Sequence, residues 1–216
     1  MALALLMAPL RMLPCTRQLA AIAAASFLIA FDRYARGGDM LAARKSELRM
    51  PIRKQRGAAA CWSLTMFPVS HDLTSKTNLQ DLTVAIGSTH YERAWLSAVA
   101  EALHRTATAS PMLVPMTPHM YLQLFKLARE LAKLKRDSHP HQLRHGGASM
   151  DGMQTGPERM TDIDLADRGS WSATKSIQRY RREAPYLRRL HSLSSSDLLT
   201  ASNAPPLIVR ELMGQL

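Results

Sequence analysis

The chain has 216 residues, enough for one well-buried core and little room for a second domain. It is 46% hydrophobic and 21% charged, an ordinary globular composition, but 28 Lys and Arg against 17 Asp and Glu give a formal charge of +11. That surplus, with an isoelectric point near 10.3, fits a polyanionic partner, because each basic side chain that meets a phosphate releases a condensed counterion. It fits equally a protein that is simply basic. The two cysteines, Cys15 and Cys61, exclude a disulfide framework and have no metal-ligand spacing, so a reducing compartment is expected.

The chain opens with an apolar stretch, Met1 to Leu13, that carries no charge before the apolar run and so makes a poor targeting peptide. Residues 1–16 are read as an N-terminal extension. Arg17 to Phe31 is rich in Ala, Leu and Ile. Its apolar part, Ala20 to Phe31, falls short of the ~20 residues that span a bilayer, so a core helix and no membrane association are expected. Gly37-Gly38 breaks that helix, and Asp39 is placed to cap a second, Met40 to Glu47. Ala60 to Val69 has strand-like content. Leu82, Val84 and Ile86 alternate with Thr83 and Ala85 at the two-residue period of a half-buried strand, with Asn78 to Asp81 as the joining turn.

Tyr91 to Leu103 puts Trp95, Leu96, Val99 and Leu103 on one helical face. Thr117-Pro118 supplies a capping residue and a first-turn proline for the next helix. Tyr121, Leu124, Phe125, Ala128 and Leu131 form its buried stripe, while Lys126, Arg129, Lys133 and Lys135 stay in water. Met160 to Ala166 reads as a short helix closed by Gly169, and Thr174 to Glu183 as another ended by Pro185. Residues 191–216 form a tail, serine-rich and then apolar, that is either disordered or docked as a terminal helix. The sum is a mainly α domain with a small antiparallel β-sheet (α+β).

The sharpest local pattern is His141-Gln-Leu-Arg144-His145-Gly-Gly-Ala-Ser149. Downstream, Arg168-Gly169-Ser170-Trp171 precedes Tyr180, which lies nine positions after the tryptophan. Upstream stand Arg36 with Asp39 three residues later, and Ser75-Lys76-Thr77 before the alternating strand. In this order the set resembles the catalytic domain of the tyrosine recombinases, or phage-type integrases, in the tryptophan form of eukaryotic mobile elements. The resemblance runs from about Ala20 to Leu190 and implies a catalytic domain over 17–190. It implies six catalytic positions: Arg36, Lys76, His141, Arg144, Trp171 and Tyr180.

The chemistry implied needs those residue types. A phosphodiester is anionic, so its attack requires cations around the pentacoordinate transition state. Arg36 and Arg144 would each hold a non-bridging oxygen through bidentate hydrogen bonds. Tyr180 would attack phosphorus and store the bond energy as a 3′-phosphotyrosine, so that rejoining needs no cofactor. His141 is the expected base, Lys76 the expected acid at the leaving 5′ oxygen, and Trp171 a donor through its indole N–H. Asp39 and His145 support the site from behind. Lys175, Arg179, Arg181 and Arg182, with Arg188 and Arg189, would track the DNA backbone.

Plainer readings stay open beside these. Arg36 also fits one more surface arginine near Arg33, Lys76 an exposed hairpin lysine, Asp39 a plain helix cap, and Trp171 a core residue. His139, His141 and His145 do not make a zinc pattern, since Pro140 intervenes and no Cys or carboxylate completes the set. The resemblance implies double-stranded DNA as partner, a homo-tetramer on DNA, no metal and no small-molecule substrate. It places the protein in the nucleus of a eukaryote or the cytoplasm otherwise. The helical clamp domain that usually precedes this catalytic domain has no counterpart, so a catalytically inactive DNA-binding remnant of a mobile element is the main alternative. A basic RNA-binding protein explains the charge but not the order of motifs, and simple relaxation of DNA uses the same tyrosine chemistry.

Overall fold

The computed structural model describes residues 1–52, 61–68, 80, 82–86, 95–106, 108–134, 137–154, 160–171, 177–178, 180 and 193–214. Within them lie α1 (Ala2–Leu6), α2 (Arg17–Arg33), α3 (Gly37–Ala42), β1 (Leu48–Arg49), β2 (Trp62–Met66), β3 (Leu82–Ile86) and α4 (Trp95–Arg105). They continue with α5 (Pro118–Leu131), α6 (His141–Gly152), α7 (Asp162–Gly169), α8 (Ser195–Ser202) and α9 (Ala204–Leu212). The expected class holds: mainly helical, with one three-stranded antiparallel sheet in the order β1-β2-β3.

Helix α2 is the central rod. Thr16 caps it by accepting the Leu19 N–H, and its run of alanines lets neighbours approach from several sides. Phe27 meets Tyr121 and Phe125 edge to face, with ring centroids at 5.2 and 5.6 Å. The helix ends where Tyr34 turns left-handed (φ 50°), before the two glycines expected to break it. Gly37 and Gly38 instead open α3, and Arg36 occupies the cap position. Asp39 sits one turn in and accepts the Arg36 backbone N–H at 2.9 Å. The single helix expected to Glu47 is two pieces, α3 and a 3-10 turn at Lys45–Glu47, because Ala43 is extended between them.

In the sheet, Leu48 pairs with Leu64 and Leu64 with Val84. Trp62, Leu64 and Met66 face the core, while the Thr65 and Thr83 hydroxyls meet at 3.0 Å on the other face. The expected turn at Asn78 to Asp81 lies largely outside the described residues, as does the helix expected over Thr174 to Glu183.

Leu96, Val99 and Leu103 of α4 are buried, but Trp95 is 38% exposed. Side chains lean toward a helix's N-terminus, so a first-position residue reaches past the end of the packed face. Thr117 caps α5 as expected, accepting the Met120 N–H. Arg129, expected in water, is instead mostly covered and donates to the Ser138 carbonyl. Helix α7 runs through Gly169, and Ser170 carries the left-handed turn in its place (φ 50°). The tail docks: Ile208 and Leu212 are buried in the main core, where α9 packs on α2 and α4. Residues of α1 join the same core through Leu5.

Glycine decides how closely α6 lies on α2. A Cβ on Gly147 would fall 1.8 Å from the Phe31 carbonyl oxygen, so only the bare backbone fits. A second, smaller core forms beyond this contact from Tyr34, Ala148, Met160, Leu165, Ala166, Ile177 and Tyr180, with Trp171 against it. No helix among the described residues is long and apolar enough to cross a membrane.

Candidate functional site

Arg144 projects from α6 into the gap between two helix ends. Its guanidinium donates to the Tyr34 carbonyl at 2.5 Å and, through the other terminal nitrogen, to the Gly169 carbonyl. These are carbonyls at the C-terminal ends of α2 and α7, where the helix dipoles concentrate negative charge and favour a cation. The group is 5% exposed and lies over the Trp171 ring, 4.7 Å from its centroid. Burial, and then the like charge of Arg36, push its pKa down to about 10, while Asp39 and Tyr180 oppose that shift. It remains a cation at neutral pH.

Arg36 approaches from the start of α3, with its guanidinium 4.0 Å from the Asp39 carboxylate. Asp39 is therefore not the cap residue expected at the start of the helix: it lies at the third helical position, reaches back to the Arg36 backbone N–H, and partners the Arg36 side chain. Burial raises the Asp39 pKa, opposed by the Arg36 N–H and by the charges of Arg36, Arg144 and His141. The two arginines, the aspartate and the histidine thus share one electrostatic neighbourhood.

Tyr180 closes that neighbourhood from the far side. A turn fixes its backbone, with its N–H on the Ile177 carbonyl at 2.8 Å, and its hydroxyl lies 2.8 Å from His145 Nδ1. Its ring stacks on Trp171 at 4.7 Å between centroids, and Trp171 stacks on Tyr34 at 5.8 Å. Tyr180 also lies against the His145 ring, whose edge-to-face neighbour is His141 at 4.5 Å. Gly169 makes the stack possible, since a Cβ there would lie 2.5 Å from the Trp171 ring.

Beneath the stack is a buried ionic network absent from the sequence-based expectations. Tyr34 donates its hydroxyl proton to Asp151, whose carboxylate lies 3.6 Å from Arg168 Nε. Arg168 donates to the Asp32 carbonyl at 2.8 Å and approaches the Asp32 carboxylate at 3.3 Å. Arg33 pairs with the same carboxylate at 2.6 Å. Burial pushes the Arg33 pKa down; Asp32 counters it. The network ties the end of α2 to α6 and α7, the elements that carry Arg144 and precede Trp171. The sequence offered one sign of it: Asp32-Arg33-Tyr34 puts two charges and a tyrosine at the end of an otherwise apolar helix.

Of the residues expected at the site, Arg144 lies over Trp171, Trp171 stacks on Tyr180 and Tyr180 meets His145, with His141 against His145 and with Arg36 and Asp39 within electrostatic reach of Arg144. Lys76, Lys175, Arg179, Arg181 and Arg182 lie outside the described residues, as do Arg188 and Arg189. No group of three His, Cys, Asp or Glu side chains among the described residues could hold a metal ion, although His139, His141 and His145 follow one another along the start of α6. In comparisons with known proteins, the chain matches no family model, no curated protein and no solved structure.

Proposed function

We propose that this chain is a DNA strand-cutting and rejoining domain of the tyrosine recombinase type, with Tyr180 as nucleophile. The observation that carries the reading is the neighbourhood of Tyr180: a phenol hydrogen-bonded to an imidazole and within electrostatic reach of a buried arginine cation. Arg36 adds a second cation, which lowers the Arg144 pKa because it lies close. Two arginines and a tyrosine suit the anionic transition state of phosphodiester attack, where fixed charge supplies most of the stabilisation. Two of the five N–H donors of Arg144 meet backbone carbonyls, which fixes the orientation of its guanidinium.

In this reading Tyr180 Oη bonds to phosphorus, the P–O5′ bond breaks, and the 5′ oxygen leaves with a proton from an acid, the role expected of Lys76. Double-stranded DNA is the substrate, and a tetramer on two duplexes is the assembly that strand exchange requires. The test is a nicked suicide substrate incubated with the full chain and run on a denaturing gel. A covalent protein–DNA adduct is expected, and Tyr180→Phe abolishes it. An adduct that survives in Tyr180→Phe overturns the assignment.

A second reading is a DNA-binding relic that no longer cuts. Two observations favour it: Tyr180 is only 6% exposed, and Arg144 is already engaged by two carbonyls. Salt-sensitive DNA binding without any adduct from the suicide substrate selects this reading.

A further inference from the structure

We infer that His145 is a catalytic residue, the immediate acceptor of the Tyr180 phenolic proton. The inference deepens the proposed strand-transfer reaction and rests on it. Three observations on the same pair carry it. His145 Nδ1 lies 2.8 Å from Tyr180 Oη, inside the reach required of a general base. The two rings lie nearly parallel, 28° apart with centroids at 5.4 Å, so the contact is a packed arrangement of two side chains. His145 is also the residue next to Arg144, so one turn of α6 delivers both a phosphate-binding cation and a base to the tyrosine.

For Nδ1 to accept, the ring proton must sit on Nε2. As Tyr180 Oη bonds to phosphorus, its proton passes to Nδ1, the P–O5′ bond breaks, and the departing 5′ oxygen takes a proton from the acid. His145 is then imidazolium. In religation the 5′ hydroxyl attacks phosphorus while its proton returns to the conjugate base of that acid, the P–Oη bond breaks, and His145 gives its proton to the leaving phenolate. Ordinary values of about 10 for a phenol and about 6.5 for an imidazole make the transfer uphill alone, so it accompanies P–O bond formation. Tyr180 and, on its own helix, His141 lie against His145. The charged groups of the neighbouring elements are Arg144 and Asp151 of α6 itself, Arg36 and Asp39 at the start of α3, Asp32 and Arg33 at the end of α2, and Arg168 of α7. His141 touches the His145 ring edge to face and is its nearest titratable neighbour on α6.

Two measurements test this separately from the proposed function. The first needs no DNA: histidine ¹⁵N spectra of the wild-type chain, with His145 assigned by through-bond correlation. The expected neutral form carries its proton on Nε2, with an Nδ1 shift that moves in Tyr180→Phe. An Nδ1-protonated neutral ring makes His145 a donor to the phenol and overturns the inference, leaving the nucleophile assignment standing. The second is the rate of adduct formation against pH. Wild type should slow as pH falls and His145 takes up a proton, and His145→Gln should lose about 10²- to 10⁴-fold together with that acidic limb. Salt-dependent DNA binding and the unfolding midpoint of His145→Gln should match wild type. A Tyr180-dependent adduct that keeps its rate and acidic limb in His145→Gln, but loses both in His141→Gln, overturns the inference alone. No Tyr180-dependent adduct in wild type overturns the strand-transfer reading and, with it, the catalytic role of His145.

Discussion

Tyr121 shows how far one buried hydroxyl can tune stability. It is enclosed on α5 with its hydroxyl 3.3 Å from Ser26 Oγ of α2. Burial pushes its pKa up to about 12, with the Ser26 contact working weakly in the other direction. A raised folded pKa means a contribution that is complete below the unfolded value near 10 and lost as pH climbs toward 12. Two pKa units correspond to about 3 kcal/mol, so wild type should lose that much between pH 10 and 12 relative to Tyr121→Phe. Urea midpoints of the two proteins across that range check it. Comparing the two cancels Arg144, whose lowered pKa acts with the opposite sign in the same window. At this scale the sequence was most informative about proximity: Arg144, Trp171 and Tyr180, singled out by order and spacing, stack together, and Arg36 lies close enough to act on Arg144. It was least informative about which histidine of α6 reaches the phenol, because that depends on how α6 rolls against α2, and the rolling is set by Gly147.

Element boundaries were legible where a cap is written in local chemistry. Thr117-Pro118 starts α5, and the alternation of Leu82, Val84 and Ile86 marks β3. They were not legible where tertiary contacts hold a residue in a conformation its side chain disfavours. Tyr34 and Ser170 both take left-handed φ without being glycine, at a cost of about 1–3 kcal/mol each. Of the glycines that read as helix stops, Gly169 and Gly37 serve close approach instead, to the Trp171 and Tyr121 rings, while Gly38 faces open space. What offsets the cost at Tyr34 is the buried network. Asp151 receives the Tyr34 hydroxyl and faces Arg168, which in turn holds the end of α2 through Asp32. Asp151→Ala should therefore destabilise the protein by about 3–5 kcal/mol, the loss expected when one partner of a buried pair is removed. A double-mutant cycle with Tyr34→Phe should show coupling of at least about 1 kcal/mol by urea denaturation. Additive effects would mean that the two groups act independently.

For the whole molecule, the charge of +11 makes a prediction that does not depend on catalysis. If a face of this protein lies along a duplex, the logarithm of the binding constant should fall linearly with the logarithm of salt concentration. The slope should be about −0.9 for each phosphate neutralised. Fluorescence anisotropy with a labelled duplex measures it, and a slope near zero would remove DNA from the list of partners. The mainly helical class follows from hydrophobic pattern, which left the tail either disordered or docked. The division of the interior into two unequal cores does not, because it arises from where α6 and α7 settle beyond the end of α2.

That division has a consequence for timing. Tyr180 is itself part of the smaller core, packed against Trp171 and closed over by its neighbours. In the proposed reaction it would have to leave that core to reach a phosphate, so its readiness would be governed by how often that corner of the protein loosens. The clock of such a reaction would be a breathing motion of the scaffold, and substitutions that tighten the small core would make a sturdier protein and a slower one.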